Sequence, residues 1–197
     1  MSVPDGGSGP EPSAGFSCAP LAADIIELAA LRERTQVVKA LAARRGLSFP
    51  ATGRVSIGRD TLVLCVRPDR WLLLTAPASH GAALGSWRGA CEGCGAVVEH
   101  SSALTALHLS GPAVREVLAR GCRLDLHPDA FAPGCAAATH MAQVSVLLAA
   151  LPGGWLLLTP ATTARHFTEW LSATAAPFGF LATAGVTVAN LFGDRPS

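Results

Sequence analysis

Apolar and polar positions form the same series twice along the chain. The pentapeptide Trp-Leu-Leu-Leu-Thr occupies residues 71–75 and returns unchanged at residues 155–159. Each copy follows an apolar run, at 62–66 or 144–151, and a short turn that contains proline. Two apolar runs separated by such a turn predict a β-hairpin. The repeat therefore predicts an internal duplication with one hairpin in each half.

Helical patterns surround these hairpins. Residues 37–47 and 114–121 have apolar side chains at helical spacing ahead of the hairpins, and residues 162–171 have them after the second. We predict an α+β fold of two helix–β-hairpin–helix halves that bury their apolar faces against each other. The expected boundaries are a disordered tail at 1–20, one duplicated domain at 21–180 with halves at about 24–90 and 96–176, and a C-terminal tail at 181–197.

The composition favours a chain that is covered by another protein. Charged residues make up 15% and apolar residues 50% of the 197 residues, and the mean hydropathy is +0.38. An average soluble domain has about 25% charged residues, so this chain has surplus apolar surface. Residues 141–160 have the length of a membrane span, but the turn at 152–154 interrupts them and the corresponding turn at 67–70 is charged. We therefore expect no membrane and a permanent protein partner.

Charge and cysteine content argue against two further classes of protein. The formal net charge is +1 and Lys39 is the single lysine, so no basic face for nucleic acid is expected. Residues 1–20 lack the basic start and apolar segment of a signal peptide. Six cysteines are too few for a disulfide scaffold of this length, and Cys65 lies in an apolar strand pattern where a free thiol is expected. These features predict a cytoplasmic protein.

Cys91 and Cys94 have the spacing of half a zinc site, and His100 and His108 follow them. One strand over residues 96–110 would hold both imidazoles on one face, but roughly 26 Å apart at about 3.3 Å per residue, too far for one metal ion. A redox dithiol normally opens a helix, whereas these cysteines precede a strand pattern. We interpret them as part of a glycine-rich connector between the halves and predict no metal ligand. A metal-binding or redox module is the alternative.

The remaining histidines show no order typical of a known catalytic motif. We expect hydrogen-bonded structural roles for the following residues: His80, His127, His140 and His166. Asp125 and Asp129 flank His127, and a carboxylate–imidazole pair could transfer protons. The other interpretation is a loop in which the aspartates bind backbone amides. We predict no catalytic residue.

Cofactor binding has little support in the sequence. No glycine-rich phosphate-binding motif is present. Tryptophans occupy matching positions in the two halves, Trp71 with Trp155 and Trp87 with Trp170. Matching positions are typical of core side chains in a duplicated unit, so we predict no cofactor-binding residue.

The most distinctive run is Ser-Gly-Pro-Ala-Val-Arg-Glu-Val-Leu-Ala-Arg-Gly-Cys at 110–122, continued by Leu-Asp-Leu-His-Pro at 124–128. It resembles the signature of the gamma subunit family of heterotetrameric sarcosine oxidase. Pro-Asp-Arg-Trp-Leu-Leu at 68–73 resembles a hairpin of the same family, and the resemblance covers roughly residues 26–179. That family is similar to the N-terminal domain of the aminomethyltransferase, folate-binding fold, whose Gly-Pro-Asp-Ala turn resembles residues 111–114.

This resemblance implies a non-catalytic gamma subunit of a cytoplasmic hetero-oligomer that also contains larger alpha and beta flavoprotein subunits and a small delta subunit. Such a complex oxidises sarcosine, or a related N-methyl or secondary amine, to glycine. It transfers the one-carbon unit to folate and produces hydrogen peroxide. The resemblance places FAD, FMN, NAD and tetrahydrofolate in the partner subunits and no cofactor in this chain. The sequence defines neither the amine nor the surface that contacts a partner.

Two segments depart from the family pattern. Residues 99–104 stand where Asp-x-Ser and then polar-Gly-Arg are expected, and residues 161–163 stand where Arg-Ser-Phe is usual. Both departures remove polar groups and allow a different amine substrate for the complex. The alternative function is a stand-alone folate-binding protein with its ligand between the halves. It needs a carboxylate in that central cleft, and Glu99 is the nearest candidate.

Overall fold

The computed structural model describes residues 14–31, 33–58, 60–77 and 81–192. The helices within these residues are α1 (Thr35–Arg44), α2 (Ala82–Ala90), α3 (Val114–Ala119) and α4 (Ala164–Ala175), with single 3₁₀ turns at Ala176–Phe178 and Ala189–Phe192. The strands are β1 (Phe16–Ala22), β2 (Asp24–Ala30), β3 (Arg54–Ile57), β4 (Thr61–Arg67), β5 (Arg70–Thr75), β6 (Gly95–Glu99), β7 (Leu104–Ser110), β8 (Ala136–Met141), β9 (Val144–Leu151), β10 (Gly154–Pro160), β11 (Phe180–Ala182) and β12 (Val186–Thr187).

The strands form two sheets. The first has the order β3-β4-β5-β2-β6, and the second has the order β11-β1-β7-β10-β9-β8, with β12 also pairing with β1. We call β2 to β6 with α1 and α2 the first lobe, and β1 and β7 to β12 with α3 and α4 the second lobe. In each lobe a hairpin, β4–β5 or β9–β10, pairs with a central strand, β2 or β7.

Three apolar cores divide the protein into four layers, helix–sheet–sheet–helix. One core packs α1 and α2 on the first sheet through residues such as Val38 and Trp87. A second packs α3 and α4 on the second sheet through residues such as Leu118 and Phe167. The third lies between the two sheets and includes side chains from both. The surplus apolar content of the chain is therefore used in part to fill a sheet-to-sheet core.

The repeated pentapeptide is apolar throughout because both faces of its strand are covered. In β5, Trp71 and Leu73 face the helices of the first lobe, whereas Leu72 and Leu74 face the second sheet. A strand buried on both faces has a continuous apolar run instead of an alternating one. The turn ahead of it places Asp69 at φ 59 after a proline, and the second hairpin places Gly153 at φ 85 after a proline. Both turns have the sequence pattern of type II turns.

The predicted tails are too long at both ends. Residues 16–20 of the expected 1–20 tail belong to β1, and Phe16 is fully buried against the second sheet. Within the expected 181–197 tail, β11 and β12 pair with β1 in parallel, and Val188 is fully buried. The glycine- and proline-rich composition of residues 1–15 hid the start of β1, and β11 and β12 are only 3 and 2 residues long. Residues 1–13 and 193–197 lie outside the described residues.

The predicted single strand over 96–110 is wrong. The chain turns at His100, whose carbonyl accepts hydrogen bonds from the N–H groups of Ala103 and Leu104 at 2.9 and 3.0 Å. The Ser101 hydroxyl accepts a hydrogen bond from the Ile25 N–H at 3.0 Å and fixes this turn. β6 stays in the first sheet and β7 enters the second, so the lobes divide at residues 100–103 and not at the cysteine-containing segment. The apolar run did not reveal this turn because His-Ser-Ser-Ala contains neither glycine nor proline.

Candidate functional site

A cleft of about 370 Å³ opens between the two sheets at one end of their shared core. Most of its lining is apolar, and both sheets contribute polar side chains to it. The apolar lining residues are Leu72, Leu104, Ala138, Val146, Leu147, Leu158 and Pro160. The polar lining residues are Glu27, Arg67, His100, Thr139, His140 and Ser145. A concave apolar site with a few convergent polar groups is typical of small-molecule binding sites.

Glu27 is the carboxylate of this cleft. It lies on β2, two residues after Ile25, so strand alternation directs both side chains toward the second sheet. Its Oε1 lies 2.6 Å from Arg70 Nη1, and its Oε2 lies 3.9 Å from His100 Nε2. Glu99 was the carboxylate predicted for this cleft. Glu99 is exposed at the end of β6 and does not line the cleft. Val98 pairs with Glu27 and shares its face of the sheet, so the next residue, Glu99, lies on the opposite face.

The second sheet contributes a hydroxyl and an imidazole to the opposite wall. His140 on β8 pairs in register with Ser145 on β9, and the Ser145 Oγ lies 3.2 Å from His140 Nε2. Both side chains are exposed. A hydroxyl–imidazole pair is a candidate nucleophile and base when a third group orients the ring. No acidic side chain of the described residues forms an ion pair with His140, so this pair is suited to hydrogen bonding with a ligand.

Arg67 gives the cleft an excess of positive charge. Glu27 is matched by Arg70, whereas no carboxylate in the described ranges lies within ion-pair distance of Arg67. Arg67 is exposed at the end of β4 and faces the same cavity as His100 and His140. A cleft with one unpaired guanidinium and two imidazoles that can donate hydrogen bonds favours an anionic group on an otherwise apolar ligand.

Glu27, Arg67 and Arg70 were not predicted from the sequence. The available signal was a carboxylate on the apolar face of the strand pattern at residues 24–30, a position that normally carries an apolar side chain. Arg67 and Arg70 flank the hairpin turn, where charged residues are common, so their sequence positions carry no signal. Their convergence depends on the pairing of β2 with β5.

Cys91 and Cys94 pack into the core of the first lobe. Cys91 follows the C-terminus of α2 and is fully buried, and Cys94 is 7% exposed. Burial, with a smaller contribution from the neighbouring Cys94, raises the pKa of the Cys91 thiol to about 11. A thiol held in this protonated state is a poor nucleophile and a poor metal ligand. The segment connects α2 to β6 inside the first lobe, which corrects the predicted connector between halves.

The Asp125–Asp129 segment is a surface loop. The Asp125 carboxylate accepts a hydrogen bond from the His127 backbone N–H at 2.8 Å, as expected for a turn aspartate. His127 Nδ1 lies 3.5 Å from a carboxylate oxygen of Asp129, and both side chains are highly exposed. The Asp129 side chain is 93% exposed, so the pair lacks the fixed geometry of general acid–base catalysis.

The other predicted residues lie apart from the cleft. His108 is half-buried on β7 and is separated from His100 by the crossover between the sheets. His166 is exposed on α4, and His80 lies outside the described residues. Within the described ranges, no group of three or more His, Cys, Asp or Glu side chains could hold a metal ion. In the same ranges, no helix has both the length and the apolarity needed to cross a membrane.

In sequence the chain is similar to sarcosine oxidase gamma subunits. The model of the sarcosine oxidase, gamma subunit family matches residues 34–177. Sarcosine oxidase subunit gamma from Corynebacterium sp. (strain U-96) is 36% identical over 139 residues, which cover 67% of this chain and 65% of that protein. The subunit from Arthrobacter sp is 38% identical over 136 residues, which cover 67% and 66% of the two proteins. The matched part thus spans about two thirds of the length of these relatives.

Two solved structures share the fold. A chain of heterotetrameric sarcosine oxidase from Corynebacterium sp. U-96, in complex with pyrrole 2-carboxylate, is similar at TM-score 0.74 and 29% identity over 83% of this chain and 85% of that chain. The glycine cleavage system aminomethyltransferase T from Bartonella henselae is similar at TM-score 0.63 and 15% identity over 88% of this chain and 48% of that chain. The second likeness concerns the fold alone.

Proposed function

Because the chain belongs to the sarcosine oxidase gamma subunit family, we propose that it is the non-catalytic gamma subunit of a heterotetrameric complex of the sarcosine oxidase type. The observation that carries this proposal is the shared fold with a chain of such a heterotetramer over 83% of the present chain. Large apolar side chains at the surface agree with a covering partner, since Leu31, Val98 and Leu181 are each 48–49% exposed.

In this proposal the chemistry belongs to larger alpha and beta flavoprotein subunits, with a small delta subunit completing the complex. They hold FAD, FMN, NAD and tetrahydrofolate, oxidise sarcosine or a related N-methyl or secondary amine to glycine, pass the one-carbon unit to folate and release hydrogen peroxide. The geometry of this chain agrees with a supporting role, because no third group among the described residues orients the imidazole of the His140–Ser145 pair. The six unpaired cysteines support a reducing compartment, such as the cytoplasm.

Co-expression tests the proposal. The full chain is produced alone and together with the flavoprotein subunits of its complex, and each preparation is measured by light scattering and flavin absorbance. We expect the chain alone to self-associate, because its exposed apolar surface has no partner. We expect a defined hetero-oligomer when the subunits are produced together. A monodisperse monomer that forms no complex with the flavoprotein would contradict it.

The cleft between the sheets favours a second function, the binding of a folate-like ligand. Arg67 is available there for a carboxylate, and the apolar walls suit a flat ring system. Calorimetry of the full chain with tetrahydrofolate tests this candidate. Saturable binding that the Arg67→Ala variant weakens, and the exposed Arg88→Ala variant does not, would support it. Absence of heat at millimolar ligand would remove it.

We also propose that the two lobes descend from one duplicated helix–hairpin–helix unit and form a single domain. The repeated pentapeptide supports this, as does the matching order of hairpin and central strand in the two sheets. Superposition of the first lobe on the second in an experimental structure is the test. Failure of the two central strands and hairpins to superimpose would refute a common origin.

A further inference from the structure

The outer edge of β6 has no role in the function proposed above. β6 is the last strand of the first sheet and pairs with β2 alone among the described strands. Val98 on β6 is 49% exposed, and the strand contains neither proline nor lysine. An edge strand with no proline, and with a charged side chain only at its last residue, Glu99, is a template for a strand from another chain.

The hydrogen bonds to β2 show which backbone groups face the open edge. The Leu31 N–H donates to the Cys94 carbonyl, and the His100 N–H donates to the Ile25 carbonyl. Because backbone direction alternates along an antiparallel strand, Val97 and the residues two positions either side of it direct their N–H and C=O groups away from β2. The described part of the chain supplies no partner for the N–H of Val97 or for its carbonyl.

The strand of the second sheet that corresponds to β6 is β1, and its outer edge pairs with β11. Leu28 and Leu109 are the residues of the central strands that pair with the tryptophan of the repeated pentapeptide. On their other side these leucines pair with Val97 of β6 and Cys18 of β1. Val97 and Cys18 therefore occupy corresponding positions in the two sheets.

Cys18 shows how such an edge is satisfied. Its outward carbonyl accepts a hydrogen bond from the Thr183 N–H at 2.9 Å. β11 pairs with β1 in parallel just before this point, and Phe180 of β11 stacks on the buried Phe16 with ring centroids 5.9 Å apart. The second sheet thus has a short apolar strand at the position where the first sheet ends.

We propose that the outer edge of β6 is a docking site for an extended apolar segment of a larger subunit, which adds to the first sheet as a sixth strand parallel to β6. This inference rests on the proposed membership of a hetero-oligomer. The segment needs at least three residues in β conformation, with N–H donors opposite the Val97 carbonyl and an apolar side chain over Val98, as in β-augmentation. In this arrangement β11 of the same chain covers the edge of the second sheet, and a strand of the larger subunit covers the edge of the first sheet.

Residue-resolved amide hydrogen exchange, on the full chain alone and in the complex with the flavoprotein subunits, tests the docking site. We expect the outward amides of Val97 and Glu99 to exchange at least about 10-fold more slowly in the complex, because they gain acceptors. The inward amides of Ala96 and Val98 already bond to β2 and are expected to change less. This alternation distinguishes strand addition from general stabilisation of the lobe.

A matched pair of variants gives a second measurement. Val98→Lys places a charge on the edge strand, whereas Val37→Lys places one at a comparably exposed valine of α1. We expect only Val98→Lys to lower the assembled fraction. A complex with unprotected β6 amides and normal assembly of Val98→Lys overturns the docking site but leaves the gamma-subunit function intact. If self-association of the chain alone protects the same amides, the occupant is a second copy of this chain and not a larger subunit. If no complex forms, both proposals are overturned.

Discussion

Gly121, just after α3, lies directly beneath the indole ring of Trp170 on α4, so that an added Cβ atom would come within 2.6 Å of Trp170 Cη2. The Trp170 ring packs against the ring of Phe167, and the two ring centroids are 5.6 Å apart. This contact sets the approach of α4 to the second sheet, because no residue larger than glycine fits at position 121.

We expect Gly121→Ala to lower the free energy of unfolding by roughly 1–3 kcal/mol, because a methyl group in a closely packed core displaces its neighbours. Chemical denaturation followed by tryptophan fluorescence measures the change. Gly85→Ala is the matched control, since an added Cβ on this helical glycine meets no atom within 4 Å, and it should be neutral or stabilising. Equal destabilisation by both variants would contradict the packing argument.

The two tryptophans of the repeated pentapeptide should respond differently to Phe. The Trp71 indole N–H donates to the Pro50 carbonyl at 3.0 Å, whereas the Trp155 indole has no such bond in the described part of the chain. Trp71→Phe should cost about 1–3 kcal/mol through the lost hydrogen bond in addition to the smaller ring. Trp155→Phe should cost less, and thermal unfolding of both variants compares them. A larger loss for Trp155→Phe would refute the role of the Pro50 bond.

Acidification should destabilise the protein through His108. Burial lowers the pKa of this imidazole below its ordinary value of 6.5. Below about pH 6.5 the unfolded chain therefore binds a proton that the folded chain does not, so the free energy of unfolding falls until the pH drops below the folded pKa. His108→Gln should flatten this dependence as the pH falls through 6.5. The exposed His166→Gln is the control, and an unchanged slope in His108→Gln would contradict the prediction.

Thiol alkylation should follow burial. Desolvation raises the pKa of both Cys18 and Cys91 to about 11, so on the order of 0.1% of either thiol is ionised at pH 8. Mass spectrometry after iodoacetamide treatment should find both unmodified in the native protein and modified in denaturant. The half-buried Cys122 and Cys135 serve as internal controls and should react first. Native labelling of Cys91 at the rate of Cys122 would contradict its burial.

The sequence predicts local elements better than it predicts which strands pair. α1, α3 and α4 lie where helical spacing places them, because each buries one apolar stripe. β1 was missed because its partner β7 lies far along the chain, and periodicity within a short window contains no information on such pairing. The charged residues of the cleft were missed for the same reason, since Glu27 and Arg70 meet only when β2 pairs with β5.

The pairing of β1 with β7 has a consequence for the order of folding. Residue 18 of β1 lies beside residue 109, and every strand of the first lobe is synthesised between them. The first lobe can close its sheet during translation, while β1 must wait in extended form until β7 emerges. Closing so long a chain loop carries an entropic cost and slows folding. We therefore expect the second lobe to complete its sheet after the first, at the slower rate that such long-range pairing imposes.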